Sequence, residues 1–301
     1  MVDHELTGAF APVVTPFQAD MTPDAPRFLA HCEWLLSHDV GLAPFGTNSE
    51  ANSLDARERM ALLDHLVDNG LDVRRMLPGT GCCSLPETVT LTRHAVERGC
   101  AGVLMLPPFF YKGVTDDGVY DYYARVIDQV NDARLRLYLY HIPALSGVPI
   151  TLPVIERLRR DFPRTVVGIK DSSGDWTHLS AMLDAFPGFG IFPASESLVS
   201  RASAKGAKGC ISATVNINAP MIGRLCREWA DDAGAALQAQ ADIVRGIVQS
   251  FPMIPALKAV LASHRDDPAW ARVRAPLTQL TSDQHVRLHA QLAACGFTLA
   301  G

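Results

Sequence analysis

Lys170 closes the apolar run Thr165-Val166-Val167-Gly168-Ile169 and is followed by Asp171-Ser172-Ser173-Gly174. A primary amine at the end of such a run sits where the core meets the surface. Desolvation there favours the neutral form, which attacks carbonyl carbon. The chemistry would be imine formation with a ketone or aldehyde; the other role open to a strand-end lysine is to snorkel its amine into solvent. An imine pathway needs a proton donor and acceptor beside the carbinolamine. Tyr140, ending Leu137-Tyr138-Leu139-Tyr140, has a phenol that can serve, although a tyrosine in such a run is equally core packing. His141 follows it, and strand alternation sends it to the opposite face, so a structural role is expected. The turn Gly46-Thr47-Asn48-Ser49-Glu50 offers backbone, hydroxyl and amide donors that suit a carboxylate, while also resembling an ordinary strand-to-helix turn. Pro107-Pro108-Phe109-Phe110-Tyr111-Lys112-Gly113 reads as a stiff apolar loop, fit for a pocket lid, a subunit contact or a simple staple. Only five of the 27 basic residues are lysines, so amine chemistry has few candidates.

Other chemistries lack their residues. No HExxH, strand-end HxH or carboxylate pair at ligand spacing calls for a metal, and no GxSxG announces a serine hydrolase. No cofactor is implied.

The elements that must position these residues are legible as a repeating pattern. Eight nearly continuous apolar runs stand at AFAPVVTPF, VGLAPFG, RMLPGTG, CAGVLMLPP, LRLYLYHIP, TVVGIKDSS, FGIFPASE and KGCISATVN. Continuous rather than alternating runs are what strands buried on both faces require. Helical patterns follow them, for instance over residues 55–69, 86–98, 116–131 and 153–161. Asp55 and Asp116 stand at N-cap or first-turn positions, and Gly70 and Gly99 at the stops. Eight such units predict an α/β fold, a (β/α)8 TIM barrel, over residues 1–218. Four further helical patterns (221–233, 235–249, 254–263 and 282–294) predict a last barrel helix and a C-terminal helical appendage over 219–301. An open doubly wound sheet is the alternative, but no GxGxxG turn follows the first run. In a barrel the C-terminal strand ends carry the chemistry, which is where Lys170, Tyr140 and the 46–50 turn fall.

The chain has 301 residues, 48% hydrophobic and 20% charged, with a net charge of −5. No basic block or aromatic-basic stripe suits nucleic acid, and no run approaches the roughly 18 apolar residues of a membrane helix. The first ten residues do not resemble a signal peptide, and seven scattered cysteines without a CxxC pair suggest reduced thiols, so a cytoplasmic location is expected.

Taken together, the strand ends resemble the family of dihydrodipicolinate synthase and N-acetylneuraminate lyase, the pyruvate-type class I aldolases. The resemblance runs from Pro12-Val13-Val14-Thr15-Pro16-Phe17 to Pro255-Ala256-Leu257-Lys258 and includes GTNSE, Tyr140-x-x-Pro143, GIKDSSGD and Gly209-Cys210-Ile211-Ser212. It implies that Lys170 forms the imine, that Tyr140 relays protons, and that Thr47 orients that tyrosine. Gly46, Thr47 and Asn48 would bind the pyruvate carboxylate, and the carbonyl of Ile211 would line the same site. It further implies a homotetramer acting on a small 2-oxo acid.

Departures from the family narrow the substrate. Dihydrodipicolinate synthases resemble Tyr-x-x-Pro-x-Arg, and Leu145 stands at the arginine position. The lyase branch is similar around Ala144-Leu145-Ser146-Gly147, but Ser197 replaces one of its acids beside Glu196, and Ser172 replaces its threonine. Phe110 stands where the family often has a phenol from a neighbouring subunit; either Tyr111 substitutes, water does the shuttling, or the relay is shorter here. These features point to an aldolase for a 2-oxo-3-deoxy sugar acid or 4-hydroxy-2-oxoglutarate, with Ser172, Glu196 and Tyr111 meeting the substrate beyond its pyruvyl part. A dehydratase using the same imine, a dihydrodipicolinate synthase and a non-catalytic pyruvate-sensing barrel are the alternatives.

Overall fold

The structure, a computed structural model, describes residues 6–299. The chain folds as two compact units. Among the described residues, one comprises 6–7, 72–194 and 201–209; the other comprises 8–71, 195–200 and 210–299.

The first unit is built on four strands in the order β3 (Val103–Met105), β4 (Leu137–His141), β5 (Val166–Asp171) and β6 (Gly190–Pro193). All three pairings are parallel, as expected when a helix follows each strand. The third apolar run joins through a single bridge, Gly79 to Leu104, flanked by two 3.0 Å backbone bonds from Leu104 to Pro78 and from Thr80 to Leu104. Pro78 has no N–H to give a ladder, so this strand stays short. Tyr138 pairs with Gly168 in register, and a Cβ on Gly168 would lie 2.3 Å from the Tyr138 ring. Glycine is required there so that the ring can lie across the neighbouring strand.

The second unit repeats the device. Its sheet runs β2 (Gly41–Leu42), β1 (Gly8–Ala11), β7 (Gly209–Ile211). Phe10 pairs with Gly41, where a Cβ would meet the Phe10 ring at 2.2 Å. Beyond β1 the chain is fastened by buried Asn216: its Nδ2 donates to the carbonyls of Pro12 (3.1 Å) and Ala213 (2.9 Å), and its Oδ1 accepts the Val14 N–H (3.0 Å). The C-terminal helices Gly234–Gln249, Met253–His264 and Ser282–Ala294 share an apolar core with Val14, Ile217 and Trp270.

Helix starts follow capping chemistry. Asp55 is the N-cap of Ala56–Asp68, in line with the sequence, and Glu58 completes a reciprocal capping box with it. Before Asp116–Val130 the cap is Thr115, and Asp116 and Asp117 occupy the first turn. The helix expected from Met221 begins earlier, at Val215, and ends at Glu228 with a kink at Asn218. Pro220, which cannot donate a helical N–H, marks that irregularity. No single helix among the described residues is long and apolar enough to cross a membrane.

Candidate active site

The register of β4 and β5 sets Tyr140 opposite Lys170, so both side chains leave the sheet on one face. Both residues are 2% exposed. The Lys170 Nζ donates to the Tyr140 hydroxyl over a long 3.4 Å and lies 4.4 Å from the centre of its ring. Among the described residues no carboxylate bonds to Lys170. The amine therefore has an aromatic face and a phenol beside it, and no bonded carboxylate among the described residues. That is a setting for a nucleophilic amine with a proton relay in reach.

The next residue along each strand turns the other way. His141 pairs with Asp171, and its Nδ1 accepts the Ile150 N–H at 3.0 Å. The proton of the neutral ring then belongs on Nε2. Burial, helped by His178 with its ring 4.7 Å away, pushes His141 down to about 4. It is neutral at ordinary pH and committed to the backbone. Burial raises the Asp171 carboxyl above the usual range, against the Ser173 amide that donates to its Oδ1 at 2.7 Å. The Ser172 amide donates to the His141 carbonyl at 2.7 Å, while its hydroxyl is buried without a hydrogen-bond partner. Ser172 thus has an unused donor two residues beyond the lysine.

The aromatic loop lies at the surface. Phe110 and Tyr111 are 73% and 75% exposed, set edge to face at 5.3 Å. Lys112 anchors them by donating to the carbonyls of Phe109 and Ser146. Leu145, also exposed, stands on the short helix Pro143–Ser146.

In the second unit, Gly46 opens a 3-10 turn over Thr47–Ser49. The Ser49 and Ala51 amides both donate to the Gly46 carbonyl, at 3.1 and 3.2 Å, and the Thr15 hydroxyl donates to the Ser49 carbonyl at 2.7 Å. Non-glycine residues with left-handed backbone bracket the turn: Phe45 at φ 62° and Glu50 at φ 57°. Such residues carry about 1–3 kcal/mol of strain each and cluster where function fixes a shape. Glu50 pairs with fully buried Lys258. Ile211 ends β7, and the two hydroxyls that follow it, on Ser212 and Thr214, both donate to fully buried Glu196. Arg245 adds its Nη1 at 3.1 Å from the Ser212 hydroxyl and 3.5 Å from Glu196.

The structure therefore brings Lys170 and Tyr140 together, places Ser172 just beyond them, and gives Thr47 and Asn48 a tightly held turn. Tyr111 is displayed on the surface, and the Glu196 carboxylate is already engaged by its own unit. Three charged groups around these segments received no role from the sequence: the side chain of Glu50, the buried cation Lys258, and Arg245. The available signal was Lys258 itself, a lone charge in the middle of the apolar stretch Pro255–Ala262.

Residues 5–295 match the Dihydrodipicolinate synthetase family. The chain belongs to that family. It is 33% identical over 290 residues to an uncharacterized DapA-like lyase of Chloroflexus aurantiacus, spanning 95% of this chain and 96% of that one. A crystal structure of dihydrodipicolinate synthase from Agrobacterium tumefaciens aligns with TM-score 0.90 at 27% identity, covering 96% of this chain and 99% of the other. YagE, a prophage protein of the same family from E. coli K12 crystallised with pyruvate, aligns with TM-score 0.87 at 26% identity over 97% and 99%. The fold is the (β/α)8 barrel with C-terminal helices expected from the eight apolar runs. The protein is an enzyme, a pyruvate-dependent lyase of this family.

Proposed function

We propose that this enzyme is a Schiff-base aldolase that cleaves a short acidic 2-oxo-3-deoxy substrate, such as a 2-oxo-3-deoxy sugar acid or 4-hydroxy-2-oxoglutarate, and holds pyruvate on Lys170. The observation that carries the reading is a buried lysine to which no carboxylate among the described residues bonds, set against the hydroxyl of Tyr140 on the adjacent strand. The amine adds to the C2 carbonyl, and the carbinolamine loses water to give an iminium. Tyr140 takes the proton of the C4 hydroxyl as the C3–C4 bond breaks, and the bonding pair flows to the iminium nitrogen as a neutral enamine. The aldehyde leaves, C3 is protonated, and water releases pyruvate and the free amine.

Family membership is what joins the 46–48 turn to this chemistry. Gly46, Thr47 and Asn48 bind the pyruvyl carboxylate in this reading, Thr47 also orients Tyr140, and the Ile211 carbonyl lines the site. The unused Ser172 hydroxyl meets the distal part of the substrate. Glu196 contributes by holding the segment that follows Ile211, since its carboxylate is taken up by Ser212 and Thr214. In this reading Tyr111, exposed beside Phe110, acts across a subunit contact of a cytoplasmic homotetramer.

Borohydride reduction in the presence of pyruvate tests the reading. One adduct on Lys170 is expected; none, or one on another of the five lysines, refutes it. A panel of 2-oxo-3-deoxy acids, with pyruvate release followed, then identifies the substrate. Loss of water with the carbon chain intact would establish the dehydratase instead. Likeness to a dihydrodipicolinate synthase supports condensation with aspartate semialdehyde as a second reading. Leu145 weighs against it, because an alkyl side chain supplies no charge-assisted bond to that substrate's carboxylate, a loss of roughly 10–150-fold in binding.

A further inference from the structure

Lys258 lies in the helix Met253–His264, within a run in which every residue from Pro255 to Ala262 is buried. Its Nζ donates to Oε1 of Glu50, and neither side chain reaches solvent. The Phe17 ring lies 4.5 Å from the ammonium. The second oxygen of Glu50 accepts the Arg274 backbone N–H at 2.9 Å. The Arg274 guanidinium in turn donates to the carbonyls of Met21 and Ser53, both at 2.7 Å, and pairs with Glu58. Glu50 is thus fixed from two sides, and it is the left-handed residue that closes the 46–50 turn.

A buried ion pair is a poor source of stability. Well-packed apolar residues often replace one at no cost, because desolvation cancels much of the attraction. Such a pair does fix geometry, since each charge tolerates only the position that satisfies the other. A turn bracketed by two strained residues needs that constraint, because strain persists only where the surroundings over-determine the backbone.

We propose that Lys258, acting through Glu50, is the positioning residue that holds Gly46-Thr47-Asn48 in the shape that receives the carboxylate of the 2-oxo acid. The inference rests on the carboxylate role given to that turn above. Lys258 itself touches no substrate. Burial pushes its amine down to about 8 while Glu50 pulls it up, so at neutral pH it remains a cation held by its partner.

The test compares borohydride trapping on Lys170 by pyruvate and by hydroxyacetone, whose hydroxymethyl group replaces the carboxylate. In Lys258→Met and in Glu50→Gln, half-saturating pyruvate should rise at least tenfold, with maximal trapping within about twofold of the parent enzyme. Hydroxyacetone trapping should be unchanged. Equal weakening of both compounds, or of neither, overturns the positioning role, as does failure of both variants to fold. If the parent enzyme itself traps neither compound on Lys170, the proposed function falls and takes this inference with it. Trapping of hydroxyacetone without saturable trapping of pyruvate would instead remove the carboxylate role alone.

Discussion

Two of the five lysines are buried, and their surroundings differ in one decisive respect. Lys170, at the end of β5, has the Tyr140 phenol at 3.4 Å and no bonded carboxylate among the described residues. Lys258, inside a C-terminal helix, is locked to Glu50. Both also face an aromatic ring, at 4.4 Å for Lys170 and 4.5 Å for Lys258, so the ring does not separate them. The partner does. A carboxylate stabilises the ammonium and occupies its donors, making the lysine a fastener. A phenol leaves the amine available and can exchange protons with whatever the amine binds. Burial nominates a lysine for chemistry, and pairing decides whether it can take part.

The comparison is broken most directly by removing each amine in turn. Lys170→Met should abolish turnover, by more than roughly 10⁴-fold, as loss of a covalent nucleophile does. Turnover surviving in Lys170→Met but lost in Lys258→Met would reverse the two roles. Tyr140→Phe should follow, with a loss of roughly 10²–10⁴-fold in kcat and a much smaller change in KM, measured with whichever acid releases pyruvate. A near-normal kcat would leave Tyr140 as packing. Stability should rank the lysines in the opposite order. Glu50→Gln strands the Lys258 ammonium and should cost about 3–5 kcal/mol in urea unfolding. Lys170→Met strands no bonded charge among the described residues, only the long bond to the Tyr140 hydroxyl, and should be neutral or stabilising. Equal losses for the two would erase the distinction.

Half of this contrast was legible in the sequence. Strands buried on both faces read as continuous apolar runs, so the seven strands and the bridge at Gly79 stood out, and a lysine or tyrosine closing such a run marked itself. Strand alternation also placed His141 away from Tyr140, in accord with the observed register. Pairings across long separations left no local trace. Glu50 and Lys258 are 208 residues apart, and no periodicity couples a turn to a helix at that distance. Glu196 was legible as an acid at a strand end, but not as an acid consumed by hydroxyls 16 and 18 residues later. The helix start at Val215 is masked in the sequence, because its first turn contains the kink at Asn218 and a proline follows at 220. Exposure of Tyr111 was equally hidden, since an aromatic loop reads alike whether it packs inward or projects.

The smallest expected effect concerns pH. Lys258 titrates in the folded protein at about 8, below the 10.5 of an unperturbed lysine, because burial outweighs the pull of Glu50. Between those values the unfolded chain holds the proton and the folded chain does not. Stability contributed by this group must therefore rise as pH increases through that window, and fall away as pH drops through 8. The slope is at most ~1.4 kcal/mol per pH unit, so from pH 8 to 9 the gain is about 1 kcal/mol. Cysteines and tyrosines also titrate there, so the measurement is the urea-unfolding free energy of the parent enzyme minus that of Lys258→Met at each pH. Groups whose surroundings the substitution leaves unchanged cancel, and the difference should move in favour of the parent enzyme above pH 8. A flat difference would mean that Glu50 holds Lys258 charged throughout, which makes the fastener stronger and its separation from Lys170 wider. A difference moving the other way would mean that the ammonium stabilises the fold more than burial penalises it, and the view of this pair as a costly device for geometry would fail.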